Sequence, residues 1–412
     1  MQQTDVCIVG AGPGGVTAAL HLANRGIPCT LVDKAFFPRD KVCGDALSGK
    51  VLNELRRIDD ALPAQLAGSA VSLPAWGMQL TAPGGQPLRI PFRTGYDPGA
   101  EAAPGYVARR MDFDNLLVDE ARRRPEITLL EGVPVKTFSF ADGNWSLAGA
   151  DGAPRIRSQL LIVANGAQSS FSRKTAGLDL RPEHHCAGLR AYYRNVSGCH
   201  HENFIELHFL EPLLPGYFWI FPLPGGYANV GVGMLSSHVR RGRINLRAAM
   251  LDLIATHPAL RDRFAGAERV GDISGYGLPL GSRRHDISGN HYLLVGDAAH
   301  LVDPFTGEGI SNAMISGRWA AEQAALALGA GDFSARRLRG YDEAVYRRLG
   351  RELQLSYRMQ QLLRFPWLFN AVARKAARNP AFADLLSCMF NDLDVRAQLK
   401  KPLFYLKLLL NA

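Results

Sequence analysis

An α/β fold is predicted by three segments in which a buried strand runs into a turn rich in glycine. These segments are residues 5–15, 159–166 and 292–310. Two other parts of the chain have a different composition from these segments. One is rich in aromatic residues, β-branched residues and glycine turns, and the other has the periodicity of helices. The sequence therefore predicts a Rossmann-like α/β domain with an inserted, mostly antiparallel β-sheet domain and a helical C-terminal region.

The predicted domains are discontinuous along the 412-residue chain, which is long enough for two or three of them. The α/β domain, which is expected to bind the cofactor, comprises residues 1–70, 101–180 and 286–330. The β-sheet domain, which is expected to bind the substrate, comprises residues 71–100 and 181–285. The helical C-terminal region comprises residues 331–412.

The composition is typical of a globular protein in the cytoplasm. Hydrophobic residues make up 47% of the chain and charged residues 21%. No spanning helix is predicted, because no apolar run reaches about 18 residues. The N-terminal residues 1–5 lack the basic residues of a signal peptide. The six cysteines are scattered without a CxxC pattern, so a reduced chain is expected.

Positive charge is concentrated near the C-terminus. Residues 333–412 contain 15 Lys or Arg and 6 Asp or Glu, which accounts for the net charge of +9 of the whole chain. The terminal stretch Lys400–Leu410 is apolar with basic flanks. It could make a peripheral contact with the inner surface of a membrane, or pack on the protein as a final helix, and we favour packing. The basic tail does not match a nucleic-acid-binding module.

Residues 5–33 match a nucleotide-binding βαβ unit. Residues 5–9 and 28–33 read as buried strands, and residues 16–24 read as the helix between them. The three glycines of the G-x-G-x-x-G pattern at residues 10–15 permit a tight turn, close approach of the backbone to a pyrophosphate, and close packing of helix on strand. Asp33 ends the second strand, where an acid binds ribose hydroxyls. The combination predicts a dinucleotide site.

Two later strand ends complete the predicted nucleotide site. Residues 159–166 form a buried strand that ends in Asn165-Gly166. The strand at residues 292–295 ends in Gly296-Asp297 and is followed by a glycine-rich helix start. A carboxylate at a strand end can bind sugar-like hydroxyls, and amides at a helix N-terminus favour an anion. A flavin needs both groups, for its ribityl chain and for its reduced ring.

With these motifs, the chain resembles the glutathione-reductase-type FAD proteins, in the branch of flavin-dependent aromatic hydroxylases, flavin halogenases and geranylgeranyl reductases. The resemblance covers nearly the whole chain and implies FAD as the cofactor. The FAD-binding residues that it implies are Gly10, Gly12, Pro13, Gly14, Gly15, Asp33, Lys34, Arg39, Lys41, Cys43, Gly44, Arg110, Asn165, Gly166, Gly296, Asp297, Pro304, Gly307, Glu308, Gly309 and Ile310.

One departure from the hydroxylases concerns the electron donor. They usually carry Asp-Gly where this chain has Asn165-Gly166, at a site that is linked there to nicotinamide handling. The donor is therefore left open among NADPH, NADH and another reductant.

Two segments resemble the geranylgeranyl reductases in particular. Residues 37–48 contain the Arg-x-Lys-x-Cys-Gly pattern of that family, and residues 215–222 contain its Tyr-x-Trp-x-Phe-Pro pattern, followed by Gly-x-Gly at residues 231–233. Flavin halogenases instead carry Trp-x-Trp-x-Ile-Pro and a lysine between halide and substrate. Because neither is found here, halogenation is disfavoured.

The aromatic residues Tyr217, Trp219 and Phe221 alternate along one predicted strand, so they face the same side. Such a row suits the wall of a pocket for a long apolar or conjugated ligand. The alternative is that the row covers one face of the sheet against the core. The resemblance to the reductases favours the pocket.

The predicted catalytic residues are Cys43 and Asp45. A thiol near Arg39 and Lys41 would have thiolate character and could donate a proton, although Cys43 could equally be a small residue that packs under its loop. The resemblance implies hydride transfer from reduced flavin to a C=C bond of an isoprenoid or polyene-like substrate, with a proton from Cys43, Asp45 or water. The alternatives are a monooxygenase that hydroxylates an aromatic or carrier-bound substrate, and an electron-transfer flavoprotein that reduces a quinone.

No metal site is expected. The clusters at residues 184–186 and 199–201 contain His and Cys and flank a predicted strand at residues 188–196. Their spacing nevertheless matches no zinc pattern. The identity of the substrate and the oligomeric state do not follow from the sequence.

Overall fold

A computed structural model describes residues 2–93, 95–149 and 155–378 of the protein. These residues divide into two compact units. The first unit contains the residues up to Lys41, Arg110–His185 and Leu278–Tyr357. The second unit contains Val42–Arg109, Cys186–Gly277 and the described residues from Arg358 onwards.

The strands have the following bounds: β1 (Gln2–Val9), β2 (Cys29–Val32), β3 (Ala46–Leu47), β4 (Ser72–Ala75), β5 (Gly77–Thr81), β6 (Pro87–Pro91), β7 (Gly105–Ala108), β8 (Ile127–Leu130), β9 (Thr137–Ala141), β10 (Asn144–Ala148), β11 (Ile156–Val163), β12 (His185–Arg194), β13 (Ile205–His208), β14 (Tyr217–Leu223), β15 (Tyr227–Leu235), β16 (Glu268–Pro279), β17 (Ser288–Gly289) and β18 (Tyr292–Leu294).

The α-helices have the following bounds: α1 (Pro13–Ala23), α2 (Gly49–Ile58), α3 (Leu62–Ala67), α4 (Arg110–Arg122), α5 (Ser170–Lys174), α6 (Ser236–Gly242), α7 (Leu246–Thr256), α8 (Pro258–Phe264), α9 (Ile310–Ala330), α10 (Ala335–Leu362) and α11 (Pro366–Arg378). Across the described ranges, none of these helices combines the length and the hydropathy that crossing a bilayer requires.

The first unit is built on a sheet in which β18, β11, β1, β2 and β8 are parallel neighbours in that order. Val9, Val163 and Leu294 are register partners across three of these strands. The turns that follow β1, β11 and β18 therefore leave the sheet at one edge, where parallel α/β sheets bind their ligands. All four residues of β2 and the last four of β1 are buried, as expected for a sheet covered on both faces.

The second unit contains a seven-stranded sheet in the order β16-β12-β15-β14-β13-β5-β6 and a three-stranded sheet in the order β3-β7-β4. One face of the larger sheet is closed by α7 and α8. Phe218, Ile220 and Val230 on this face form one hydrophobic core with Met250 and Leu260 of the helices. Because side chains alternate along a strand, Tyr217, Trp219 and Phe221 point to the opposite face.

The fold class predicted from the sequence is confirmed. The predicted helices at residues 336–363 and 367–378 correspond to α10 and α11. The predicted helix at residues 384–389 and the stretch at residues 400–410 lie outside the described residues. The predicted domain boundaries stay a prediction. The compact units differ from them in two ways. Residues 42–70 and 101–109 belong with the second unit, where β3 pairs with β7 and β7 with β4, and residues 181–185, 278–285 and 331–357 belong with the first.

Candidate active site

The glycine turn after β1 leaves its backbone open on one side. Gly10 has a φ of +106°, and a Cβ there would lie 2.5 Å from the carbonyl oxygen of Ala164. A Cβ on Gly15 would clash with the carbonyl oxygen of Gly10. At Gly12, in contrast, the nearest atom to a Cβ would be the Arg39 Nη2, at 3.8 Å. Gly10 and Gly15 are thus required for packing, whereas the space beside Gly12 would hold a Cβ without a clash.

Asp33 holds the glycine turn in place. Its carboxylate accepts hydrogen bonds from the backbone N–H groups of Ala11, at 2.7 Å, and Ala35, at 2.8 Å. Pro13 stands at the start of α1, where its missing N–H costs no hydrogen bond. The contact of Asp33 with a ribose stays a prediction. In the structure the Asp33 side chain connects the glycine turn to the end of β2 by hydrogen bonds.

A buried carboxylate, Asp114, organises two predicted FAD-binding arginines. Arg110 and Asp114 lie one turn apart on α4, and both guanidinium contacts between them are 2.7 Å long. Arg39 donates to the same carboxylate at 2.6 Å. Burial alone would raise the pKa of Asp114, but the charges of Arg110, Arg39 and Lys41 outweigh it and hold the pKa below its usual range. Asp114 was missed from the sequence, although its i+4 spacing from Arg110 could have indicated it.

Asp297 follows β18 in a short 3₁₀ turn, Gly296–Ala299, and forms an ion pair of 3.1 Å with Lys41. A Cβ on Gly309 would lie 3.3 Å from the Asp297 Oδ1. Gly309 is also the N-cap of α9 and offers no side chain to the first amides of that helix. The strand-end carboxylate and the helix N-terminus predicted from the sequence therefore lie side by side.

The turn before α9 is closed by Asp303. Its Oδ1 accepts from the backbone N–H groups of Phe305, at 2.9 Å, and Thr306, at 2.8 Å. Gly307 has a φ of +74°, which the tight turn requires. This local bonding shapes the segment at residues 304–310 that is predicted to lie against the flavin.

Asn165 carries an unsatisfied polar atom at the sheet edge. Its side-chain Oδ1 is buried and has no hydrogen-bond partner in the described part of the chain. Its Cα lies 2.9 Å from where a Cβ of Gly10 would stand, so the residue adjoins the glycine turn. A buried acceptor without a donor is costly, and a donor group of a bound nucleotide would satisfy it.

In the second unit, the predicted aromatic row forms a continuous surface. The ring centroids of Tyr217 and Trp219 are 6.1 Å apart, and those of Trp219 and Phe221 are 6.4 Å apart. The Trp219 ring lies over Gly231 on β15, where any Cβ would clash with it. The row covers the sheet face opposite the helix-packed core, and glycine on the neighbouring strand lets the indole lie flat.

Asn229 links this row to the loop of the predicted catalytic residues. It is fully buried, and its Oδ1 accepts from the Trp219 Nε1 at 2.8 Å. Its Nδ2 donates to the Cys43 carbonyl oxygen and to the Asp45 Oδ2, each at 2.7 Å. Tyr192 donates its hydroxyl to the same Asp45 oxygen at 2.8 Å. The sequence carries no local signal for Asn229, because Cys43 is 186 residues away along the chain.

The conformation of the Cys43 loop is restricted by close contacts. A Cβ on Gly44 would lie 2.8 Å from the Phe221 Cε2, so only glycine fits beneath that ring. Asp45 is fully buried and has a φ of +69°, a conformation that costs a non-glycine residue free energy. Cys43 is half-buried and is a free thiol. The loop thus presents the Cys43 side chain and buries the Asp45 carboxylate.

The predicted histidine clusters do not form a metal site together. Among the described residues, the one group of three possible ligands consists of His200, His201 and Glu202. Glu202 is also the acceptor of the Tyr96 hydroxyl. His184, from the other cluster, is hydrogen-bonded to Ser282 at 2.8 Å. The expectation that no metal is bound stays a prediction.

Comparison with known proteins places these features in a family context. The family model described as "FAD binding domain" matches residues 3–197. A menaquinone reductase of Mycobacterium tuberculosis is 30% identical over 397 residues, which cover 94% of this chain and 91% of the relative. Digeranylgeranylglycerophospholipid reductase 1 of Methanopyrus kandleri is 32% identical over 349 residues, which cover 82% of this chain and 85% of that protein.

Solved structures have the same fold. A geranylgeranyl bacteriochlorophyll reductase-like protein of Thermoplasma acidophilum superposes with a TM-score of 0.81 at 24% identity, covering 97% of this chain and 99% of that chain. The halogenase PltM in complex with phloroglucinol and FAD superposes with a TM-score of 0.73 at 17% identity, covering 96% of this chain and 85% of that chain.

The first unit fits the cofactor that these comparisons imply. Gly12 lies beside the Arg39 guanidinium with no atom closer than 3.8 Å to the position of a Cβ. The buried Asn165 Oδ1 accepts no hydrogen bond from the described residues. Arg39 and Arg110 share the Asp114 carboxylate, and Lys41 pairs with Asp297. A pyrophosphate is an anion that clustered guanidinium groups bind, and a nucleotide offers donors for the Asn165 Oδ1.

Proposed function

Because the chain belongs to the geranylgeranyl reductase-like branch of the FAD-dependent oxidoreductases, we propose that it reduces C=C bonds of an apolar isoprenoid or polyene-like substrate. Bound FAD in its reduced form supplies the hydride. The protein has to bind the substrate, orient its double bond, exclude water and deliver a proton.

The observation that carries the proposal is the connection between the aromatic row and the Cys43 loop. Trp219 and Asp45 are both hydrogen-bonded to the buried Asn229. The row offers three rings for an apolar chain, and the hydrogen bond to Asn229 satisfies the polar Nε1 of the Trp219 indole. A rigid hydrogen-bonded network between them would keep the Cys43 loop at a constant distance from the bound chain.

Within this proposal Cys43 is the proton donor, and Asp45 positions it. The Asp45 Oδ2 accepts two hydrogen bonds, from Tyr192 and Asn229, which occupies that oxygen as an acceptor. The half-buried Cys43 thiol is closer to the surface of its unit. The Sγ–H would give its proton to the alkene carbon that does not receive the hydride, and the thiolate would regain a proton from solvent.

In the first unit, the predicted FAD-binding residues have complementary tasks. Gly12 and the Arg39 guanidinium would hold the pyrophosphate, and Asn165 would accept a hydrogen bond from the nucleotide. Asp297 would bind the ribityl hydroxyls once its ion pair with Lys41 rearranges. The amides at the start of α9 would stabilise negative charge on the reduced ring.

The proposal is tested by product analysis. The protein is loaded with FAD, reduced anaerobically and mixed with a geranylgeranyl glycerophospholipid in detergent. Mass spectrometry should show the gain of two hydrogens per reduced double bond. A parallel reaction in ¹⁸O₂ would contradict the proposal if the product gained one labelled oxygen and no double bond was lost, because that result identifies a monooxygenase.

A further inference from the structure

The turn between α10 and α11, in the second unit, carries exposed aromatic rings. α10 ends at Leu362 and α11 begins at Pro366. Between and beside these residues, Phe365 is 53% exposed and Trp367 is 69% exposed. Two large apolar rings within three positions of one turn are unusual on a surface that meets only water.

A pocket of about 520 Å³ opens beside this turn and combines apolar and cationic walls. Leu214, Leu363 and Pro366 supply apolar walls. Arg241 and Arg364 supply guanidinium groups, and both residues are exposed. Glu211 is the single acid among the lining residues.

The charge around the pocket is strongly positive. The segment at residues 236–251 contains four arginines and no acidic residue. Within the described chain, neither Arg241 nor Arg364 forms an ion pair with a carboxylate. Burial, together with the charges of Arg241 and Arg364, lowers the pKa of His238 in the pocket wall. The pocket is therefore a place where an anion would be stabilised.

We propose that Arg241, Arg364, Phe365 and Trp367 form a docking surface for a bilayer of anionic phospholipids, which we call the basic–aromatic patch. Guanidinium groups bind phosphate oxygens of head groups, and Trp and Phe rings enter the boundary between head groups and acyl chains. The patch matches such a surface in both respects, because it places cations and apolar rings on the same turn and pocket rim.

The docking surface does not depend on the reaction proposed above. Neither the arginines nor the rings of the patch belong to the predicted FAD site or to the aromatic row. A protein that reduces nothing could still dock, and a reductase could act on substrate dispersed in detergent without docking. The two proposals can therefore fail separately.

The test uses the full-length, FAD-loaded protein and sedimentation with vesicles. One set of vesicles contains phosphatidylcholine alone, and the other contains an equal mixture of phosphatidylcholine and phosphatidylglycerol. The variants are Arg241→Gln/Arg364→Gln and Phe365→Ser/Trp367→Ser. Matched controls are Arg336→Gln/Arg339→Gln, which removes two exposed arginines elsewhere, and Leu326→Ser, which removes an apolar side chain that is 57% exposed.

We expect the unmodified protein to prefer the anionic vesicles, and each patch variant to lose about tenfold in affinity. The arginine variant should lose most of the salt dependence, and the controls should bind as the unmodified protein does. A third variant, Lys400→Gln/Lys401→Gln/Lys407→Gln, tests the terminal stretch. Equal binding to both vesicle types, unchanged binding of the patch variants, or loss in the terminal variant alone would each overturn the proposal.

Discussion

The ion-paired cluster around Asp114 in the first unit and the hydrogen-bonded network around Asn229 in the second unit solve the same problem by different means. Each is buried and each holds a predicted functional residue in place. The first does so with ion pairs to Arg110 and Arg39, and the second with hydrogen bonds to Trp219 and Asp45. The difference matches the ligands that we propose, since a pyrophosphate is bound by positive charge and an isoprenoid chain needs none.

The largest effect is expected from removing the carboxylate at the centre of the charged cluster. Asp114→Ala leaves Arg110, which is 2% exposed, without its buried partner. We expect the free energy of unfolding to fall by about 3–5 kcal/mol and FAD to be lost. Urea denaturation and flavin absorbance after gel filtration measure the two effects.

A matched control for this variant lies on the same helix. Asp119 pairs with Arg122 and is 42% exposed, so Asp119→Ala should cost less than about 1 kcal/mol and leave the flavin bound. If both variants lost the same stability and the same flavin, the Asp114 cluster would have no special role.

A smaller and different effect is expected when the hydrogen-bonded network around Asn229 is broken. Asn229→Ala removes three hydrogen bonds, one of them to the Cys43 carbonyl. We expect a loss of about 2–3 kcal/mol in stability, FAD bound at full occupancy, and product formation reduced about tenfold or more. Asn53→Ala, at an exposed hydrogen bond with Arg56, is the control and should change neither property. Loss of FAD from the Asn229 variant would refute the division of tasks between the two regions.

The aromatic row can be disturbed by adding one methyl group on the neighbouring strand. In Gly231→Ala the new methyl group would clash both with the Trp219 ring and with the Leu189 carbonyl oxygen on β12, whereas in Gly233→Ala the nearest atom is the Cys186 Sγ at 3.5 Å. We expect the first variant to lose about 1–3 kcal/mol in stability and to raise KM for the apolar substrate more than it lowers kcat. The second should stay close to the unmodified protein. Steady-state kinetics and the near-ultraviolet circular dichroism of Trp219 measure the outcome, and identical behaviour of the two variants would argue against the row as a substrate surface.

The smallest effect is a pH dependence that belongs to the charged cluster alone. The pKa of Asp114 is lower in the folded protein than the value of about 4 for an unfolded chain. Its contribution to stability is therefore complete above about pH 4 and is lost as the pH falls through the folded-state pKa. Unfolding measured at several acidic pH values should show a shallower decline for Asp114→Asn than for the unmodified protein. An unchanged slope would mean that other carboxylates dominate the acid sensitivity.

Sequence reasoning succeeded where the signal is local. The βαβ unit at residues 5–33 and the strand that ends before Gly296 were predicted because the chain conformation there requires glycine and a short apolar strand. The alternation of Tyr217, Trp219 and Phe221 correctly predicted a common face. The alternation did not decide whether that face packs against the helices. In the structure α7 and α8 cover the opposite face of the sheet, so the aromatic row lies away from the helix-packed core.

The pairings that were missed depend on contacts across long stretches of chain. Arg39 meets Asp114 across 75 positions and Lys41 meets Asp297 across 256. Neither distance leaves a periodic pattern, because such pairs arise only when several elements have packed.

The sequence alone determined the fold class, the cofactor and the family. It could do so because glycine turns, short apolar strands and the residues that follow them lie close together in the chain, where they leave a recognisable pattern. The tertiary structure alone decided which carboxylate balances which cation, and that Asn229 joins the indole of Trp219 to the Cys43 loop. Those choices depend on burial, which makes an unpaired charge or hydrogen-bonding group costly, and burial is a property of the packed chain.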